Sequence, residues 1–73
     1  MRVLLANMRE RSNMTQTQIS QCANISQGYY SSIESGFKCP SPVVADRIAK
    51  VLGISEHEMF KVFYSDGSGG YRS

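Results

Sequence analysis

The chain has one histidine, two cysteines and no apolar run that approaches the ~20 residues needed to cross a bilayer. His57 falls in the first turn of a capped helix, where solvent exposure is its expected fate rather than catalysis or metal ligation. Cys22 and Cys39 come without a second thiol pair or a histidine cluster, so zinc-ligand spacing is missing and no metal site is expected. Both read as reduced thiols of a cytoplasmic protein, with Cys22 partly packed. The opening "MRVLLA" imitates a secretory signal, but Asn7, Arg9, Glu10 and Arg11 interrupt it. Without such a signal, the glycosylation patterns "NMT" at Asn13 and "NIS" at Asn24 are expected to be empty. Paired carboxylates and a nucleophile beside a base are also missing, and a core this small leaves little room for a pocket. The expectation is therefore a protein that is not an enzyme and takes no cofactor and no small-molecule ligand.

What is present describes one small soluble domain. Of the 73 residues, 41% are hydrophobic and 19% charged, which is globular rather than disordered composition. A domain of this length buries only roughly 60% of the surface its unfolded chain exposes. Net charge is only +2, but it is unevenly distributed. Residues 1–55 carry Arg2, Arg9, Arg11, Lys38, Arg47 and Lys50 against Glu10, Glu34 and Asp46. Residues 56–73 carry Lys61 and Arg72 against Glu56, Glu58 and Asp66. The positive field belongs to the first three-quarters, as a phosphate-facing surface requires.

Start and stop signals predict five helices and no strand. The first runs from about Val3 to Ser12, with Leu4, Leu5 and Met8 on one side. In "TQTQ", Thr15 stands three positions before Gln18, a capping-box arrangement that opens a second helix with Ile19 and Ala23 inward. Asn24 suits the left-handed conformation that ends a helix, and Ser26 caps the third, which runs from Gln27 to about Ser35 and closes at Gly36. Pro40 and Pro42 break the chain, and Pro42 suits the first position of a fourth helix behind Ser41, ending at Gly53. Ser55 with Glu58 predicts a second capping box for the fifth helix. Residues 65–73, "SDGSGGYRS", are expected to be a flexible tail; its "GSGG" lacks the preceding strand and following lysine of a phosphate loop.

The third helix is built from poor helix formers. In "NISQGYYSSIESG", Tyr30 and Ile33 fall on the buried side and leave Gln27, Gly28, Ser31 and Ser32 outward. Two helices joined by a turn of about three residues form a helix-turn-helix. A helix destined for the major groove is covered by nucleic acid, so its face is set by reach and hydrogen bonding instead of propensity.

From Asn7 to Phe60 the sequence resembles the phage repressor and Cro family of helix-turn-helix domains. The resemblance rests on "MRERSNMTQTQIS", "NISQGYYSSIESG", "PS", "IAKVLGIS" and "EMF" at the family's separations. It implies an all-α, five-helix, lambda-repressor-like DNA-binding domain over residues 1–64, with the helix-turn-helix at about 15–35. By the same resemblance Gln27, Gly28 and Ser32 face the bases. Gln16, Thr17, Ser26, Tyr29 and Ser31 face the DNA backbone, with Lys38 in the following loop as a further phosphate contact. Arg9 and Glu34 hold positions that pair in the family. The sequence departs from the pattern at Ser20, Ala23 and Tyr30. Tyr30 is expected to fill the volume Ala23 leaves, with its hydroxyl at the surface.

The expected function is a sequence-specific transcriptional regulator of double-stranded DNA, a repressor acting as a homodimer on a two-fold operator. An antitoxin or a restriction-system controller with the same DNA chemistry is one alternative, and a protein-interaction module that has lost DNA binding is another. "FKVFYS" carries more apolar surface than one small core is expected to bury. With Met59 and Phe60 turned toward the domain, Val62, Phe63 and Tyr64 are expected at a dimer interface.

Overall fold

Helices form where the caps fall. A computed structural model describes residues 1–65: α1 (Val3–Arg11), α2 (Gln16–Cys22), α3 (Gln27–Ser35), α4 (Pro42–Leu52) and α5 (Glu56–Phe60), which runs on into a π-helical turn over Lys61–Ser65. There is no strand among the described residues. The expected tail, from residue 66 on, lies outside them.

At the start of α2 the Gln18 backbone N–H donates to Thr15 Oγ1 at 3.1 Å, and the Thr15 N–H donates to Gln18 Oε1 at 2.8 Å. Ser26 Oγ accepts from the Tyr29 N–H, and Ser41 Oγ from the Val44 N–H ahead of Pro42. Each such cap is worth about 1 kcal/mol. Gly36 closes α3 at φ 90°, a left-handed conformation that favours glycine, and a Cβ there would lie in tight contact, 3.2 Å, with the Met1 nitrogen. The expected box at α5 does not form. Ser55 accepts no backbone N–H, and its hydroxyl lies 3.5 Å from Glu58 Oε1.

The core joins Leu5 of α1, Ile19 of α2, Tyr30 and Ile33 of α3, and Ala45, Ile48 and Ala49 of α4. Val62 and Phe63 complete it at 1% and 0% exposure. Sequence reading expects both at a dimer interface as surplus apolar surface; in the structure both are instead buried within the monomer. Helix α5 buries none of its own side chains, so the turn after it closes the core. Phe60, expected to point inward, is exposed, while Met59 packs partly against the core. Tyr64 is half-buried, and its hydroxyl donates to the Pro40 carbonyl at 3.0 Å.

Arg2 is the residue that sequence reading placed least well. Counted there among the phosphate-facing charges, it is 3% exposed. Its Nε donates to the Phe63 carbonyl at 2.8 Å, while Nη1 donates to the carbonyls of Ile33 and Lys38 and Nη2 to Cys39 Sγ. One guanidinium thus ties the end of α3, the loop after it and the C-terminal turn. A rigid fork with five donors can serve acceptors on three segments, and a lysine ammonium cannot span them. Arg2→Met leaves three carbonyls short of a donor and is expected to cost at least about 2 kcal/mol. Urea unfolding checks this: the midpoint should fall with the slope unchanged, and Arg2→Lys should recover only part of the loss.

Candidate nucleic-acid interface

The helix-turn-helix is assembled by contacts inside residues 15–36. After α2, Ala23 forms the C-cap and Asn24 takes a left-handed conformation at φ 61°, which asparagine tolerates better than most residues. The Ile25 N–H returns to the Ser20 carbonyl at 2.9 Å. Ile19, Ser20 and Ala23 pack inward, and so do Tyr30, Ile33 and Glu34 of α3. Ser20 is buried as well, and its hydroxyl is satisfied there by donating to the Thr17 carbonyl at 2.8 Å. Cys22, expected to be partly packed, is exposed, as is Cys39.

With that face inward, α3 exposes Gln27 and Gly28 to solvent, and Tyr29, Ser31 and Ser32 partly. Ser26, Thr17 and Lys38 are exposed and Gln16 is half-buried. Lys38 Nζ lies 5.9 Å from the Tyr29 ring centroid, a cation–π arrangement that places a positive charge beside α3. Ser32 accepts through its carbonyl from the Lys38 N–H at 3.1 Å, which anchors the loop carrying that lysine to α3.

Beneath this surface, Glu34 acts as a hub. Arg9 donates to it from Nε at 2.8 Å and from Nη2 at 3.2 Å, a bidentate ion pair between α1 and α3. Arg9 Nη1 also donates to the Met14 carbonyl at 2.7 Å. The Tyr30 hydroxyl donates to Glu34 Oε1 at 2.8 Å, so it turns inward and not to the surface as the sequence reading expects. Gln16 Nε2 donates to Glu34 Oε2 at 3.1 Å, and Gln27 Nε2 donates to Gln16 Oε1 at 3.2 Å. A continuous set of hydrogen bonds thus leads from the buried ion pair to the first residue of α3. Burial alone raises the Glu34 pKa, but the hydrogen bonds from Arg9, Tyr30 and Gln16 outweigh it and hold the carboxyl below the usual range. The bond to Glu34 holds the Arg9 pKa up against its own burial. Burial first, and then the Glu34 carboxylate, raise that of Tyr30.

These contacts redraw the charge map. Arg2 and Arg9 are spent inside the domain, and Lys50 pairs with Asp46 at 3.0 Å along α4. Lys38 is the cation that lies against α3. The roles of Arg2 and of the Gln16–Glu34 bond carry no periodicity or motif in the sequence; an arginine before an apolar stretch is the only signal for the first. No group of His, Cys, Asp and Glu able to hold a metal ion occurs among the described residues, and no helix there is long and apolar enough to cross a membrane.

Residues 5–59 match the model of a helix-turn-helix family. The chain is similar to an uncharacterized HTH-type transcriptional regulator, YqaF, of Bacillus subtilis (strain 168), with 32% identity over 66 residues, which are 90% of this chain and 82% of the relative. No solved structure gives a match.

Proposed function

The chain belongs to the helix-turn-helix family of the phage repressor and Cro type, and from that premise we infer that it is a sequence-specific DNA-binding transcriptional regulator, a repressor acting as a dimer on a two-fold operator. The observation that carries this reading is the polar, outward end of α3. Gln27 stands there beside Gly28, held from below by Gln16 and flanked by Lys38 over Tyr29. A glutamine amide bonds adenine through N6 and N7 at once, and Gln27 keeps its Oε1 and one Nε2 hydrogen for that purpose. Ser32, one turn further along α3, stands where a base contact is expected. The start of α2, at Gln16 and Thr17, together with Ser26, Tyr29, Ser31 and Lys38, lines the path of the DNA backbone. The exposed start of a helix suits phosphate through its unpaired N–H groups and positive dipole end.

Two copies placed about one DNA turn apart read a two-fold site, and among the described residues after α4 the exposed Phe60, with the Tyr64 ring 5.9 Å away, offers apolar surface for self-contact. Repression follows from occupancy: a domain bound over a promoter excludes polymerase without any further chemistry.

Selection of bound sites from random duplex DNA tests the reading. The expected product is a short site with two-fold symmetry, and recovery of no enriched sequence would count against it. On the selected site Gln27→Ala should lose about 1 to 3 kcal/mol and flatten preference at one base position. Lys38→Ala should weaken all duplexes alike and reduce the salt slope by about 1. Mutants that behave alike would remove Gln27 from the bases.

A further inference from the structure

Gly28 is a glycine for which the fold gives no reason. It lies in the first turn of α3, outside the positive-φ region that Gly36 and Gly53 occupy, so its backbone suits any residue. A Cβ built on it meets no heavy atom within 4 Å, so packing does not require glycine either. Glycine is the least favourable residue in a helix apart from proline, and the position is solvent-exposed. Its retention here weakens α3 with no compensating contact inside the domain.

The neighbouring side chain explains what the missing methyl provides. Gln27 Nε2 is tethered to Gln16 Oε1 at 3.2 Å, and Gln16 is in turn held by Glu34. A glutamine anchored in this way is held in one orientation toward a base. Its reach is set by how closely the α3 backbone approaches the groove floor. With α3 laid in the groove as the DNA-binding reading has it, a Cβ at position 28 would stand between that backbone and the DNA.

We propose that Gly28 is a specificity-determining clearance: its bare Cα lies against a base-pair edge in the major groove and sets the depth at which the tethered Gln27 amide meets the neighbouring base. The proposal rests on the DNA-binding reading and adds a steric element to it. The base pair that faces Gly28 is read by fit and not by a hydrogen bond, and the preference at the Gln27 position depends on that fit.

The test uses the full chain, the duplex selected with the wild type and a random duplex of equal length, with binding followed by fluorescence anisotropy and stability by thermal melting. Gly28→Ala and Gly28→Ser should melt at or above the wild-type temperature, because the added side chain fits the helix and restricts the unfolded chain. Both should bind the selected duplex about ten-fold more weakly or worse, with affinity for the random duplex little changed. A second selection with Gly28→Ala should return an altered preference at the base pair beside the one Gln27 reads. Unchanged affinity and preference in both variants would overturn the proposal. So would a lowered melting temperature, since it would give Gly28 a structural role. A wild type that binds neither duplex would overturn it together with the DNA-binding reading, whereas failure of the clearance alone leaves wild-type binding intact.

Discussion

Phe63→Ala is expected to lower stability by about 3 to 5 kcal/mol. The ring is fully buried in the turn that follows α5, a helix that buries none of its own side chains, so Phe63 supplies core volume that α5 does not. Truncation therefore leaves a cavity and also loosens the turn whose Phe63 carbonyl accepts from Arg2 Nε. A small domain has only about 5 to 15 kcal/mol of total stability, so the variant should sit near its unfolding transition at room temperature. Phe63→Asp, which would report on self-association if the ring were exposed, should not fold, because it buries a carboxylate with no partner. Circular dichroism melts decide the matter. An alanine variant that melts with the wild type would show that the ring is not in the core.

Glu34→Ala is expected to cost a similar amount, about 3 to 5 kcal/mol, because it strands a partly buried guanidinium. Arg9 would keep the Met14 carbonyl and a distant, exposed Glu10, while Tyr30 would lose the acceptor of a buried hydroxyl. The same carboxylate predicts the acid limb of the stability curve. Its pKa is depressed in the folded protein, so the folded state binds fewer protons there than the unfolded state. Its contribution is complete above the unfolded carboxyl value of about 4.3 and is lost as pH falls through the folded one. Glu34→Gln should therefore be less stable than wild type at neutral pH, with the difference shrinking on acidification. A constant difference from neutral pH to pH 2 would refute this linkage. Because Glu34 also holds Gln16, and through it Gln27, Glu34→Gln should weaken specific DNA binding more than non-specific binding.

The helix count and the caps at Thr15, Ser26 and Ser41 were legible because they are local, whereas the box expected at Ser55 does not form. Thr15 with Gln18, Ser26 with Tyr29, and Gly36 at positive φ each act within a few residues, so the identities at fixed offsets determine whether the bond can form. The outward end of α3 was legible for the same reason, since Tyr30 and Ile33 mark the buried side of a short helix. The family's text also carried the Arg9–Glu34 pairing as an expectation, and in the structure the two side chains are 2.8 Å apart. Three features depended on distant segments. Arg2 meets Phe63, Ile33 and Lys38, whose carbonyls converge only when α1, α3 and the last turn have packed, and nothing in the identity of a carbonyl announces it in a sequence. Tyr30 turns its hydroxyl inward because Glu34 and Arg9 bring charge into the core, which rewards a donor that an apolar core would reject. Val62 and Phe63 look like surplus apolar surface when counted along the chain, yet α5 leaves the core open and they close it. Amphipathic periodicity and capping are set by residues a turn apart, so the sequence by itself determined where helices begin, where they end and which face of α3 looks out. Which apolar and charged side chains are consumed in the interior is a competition among all segments for one small volume, and only the tertiary structure decided it.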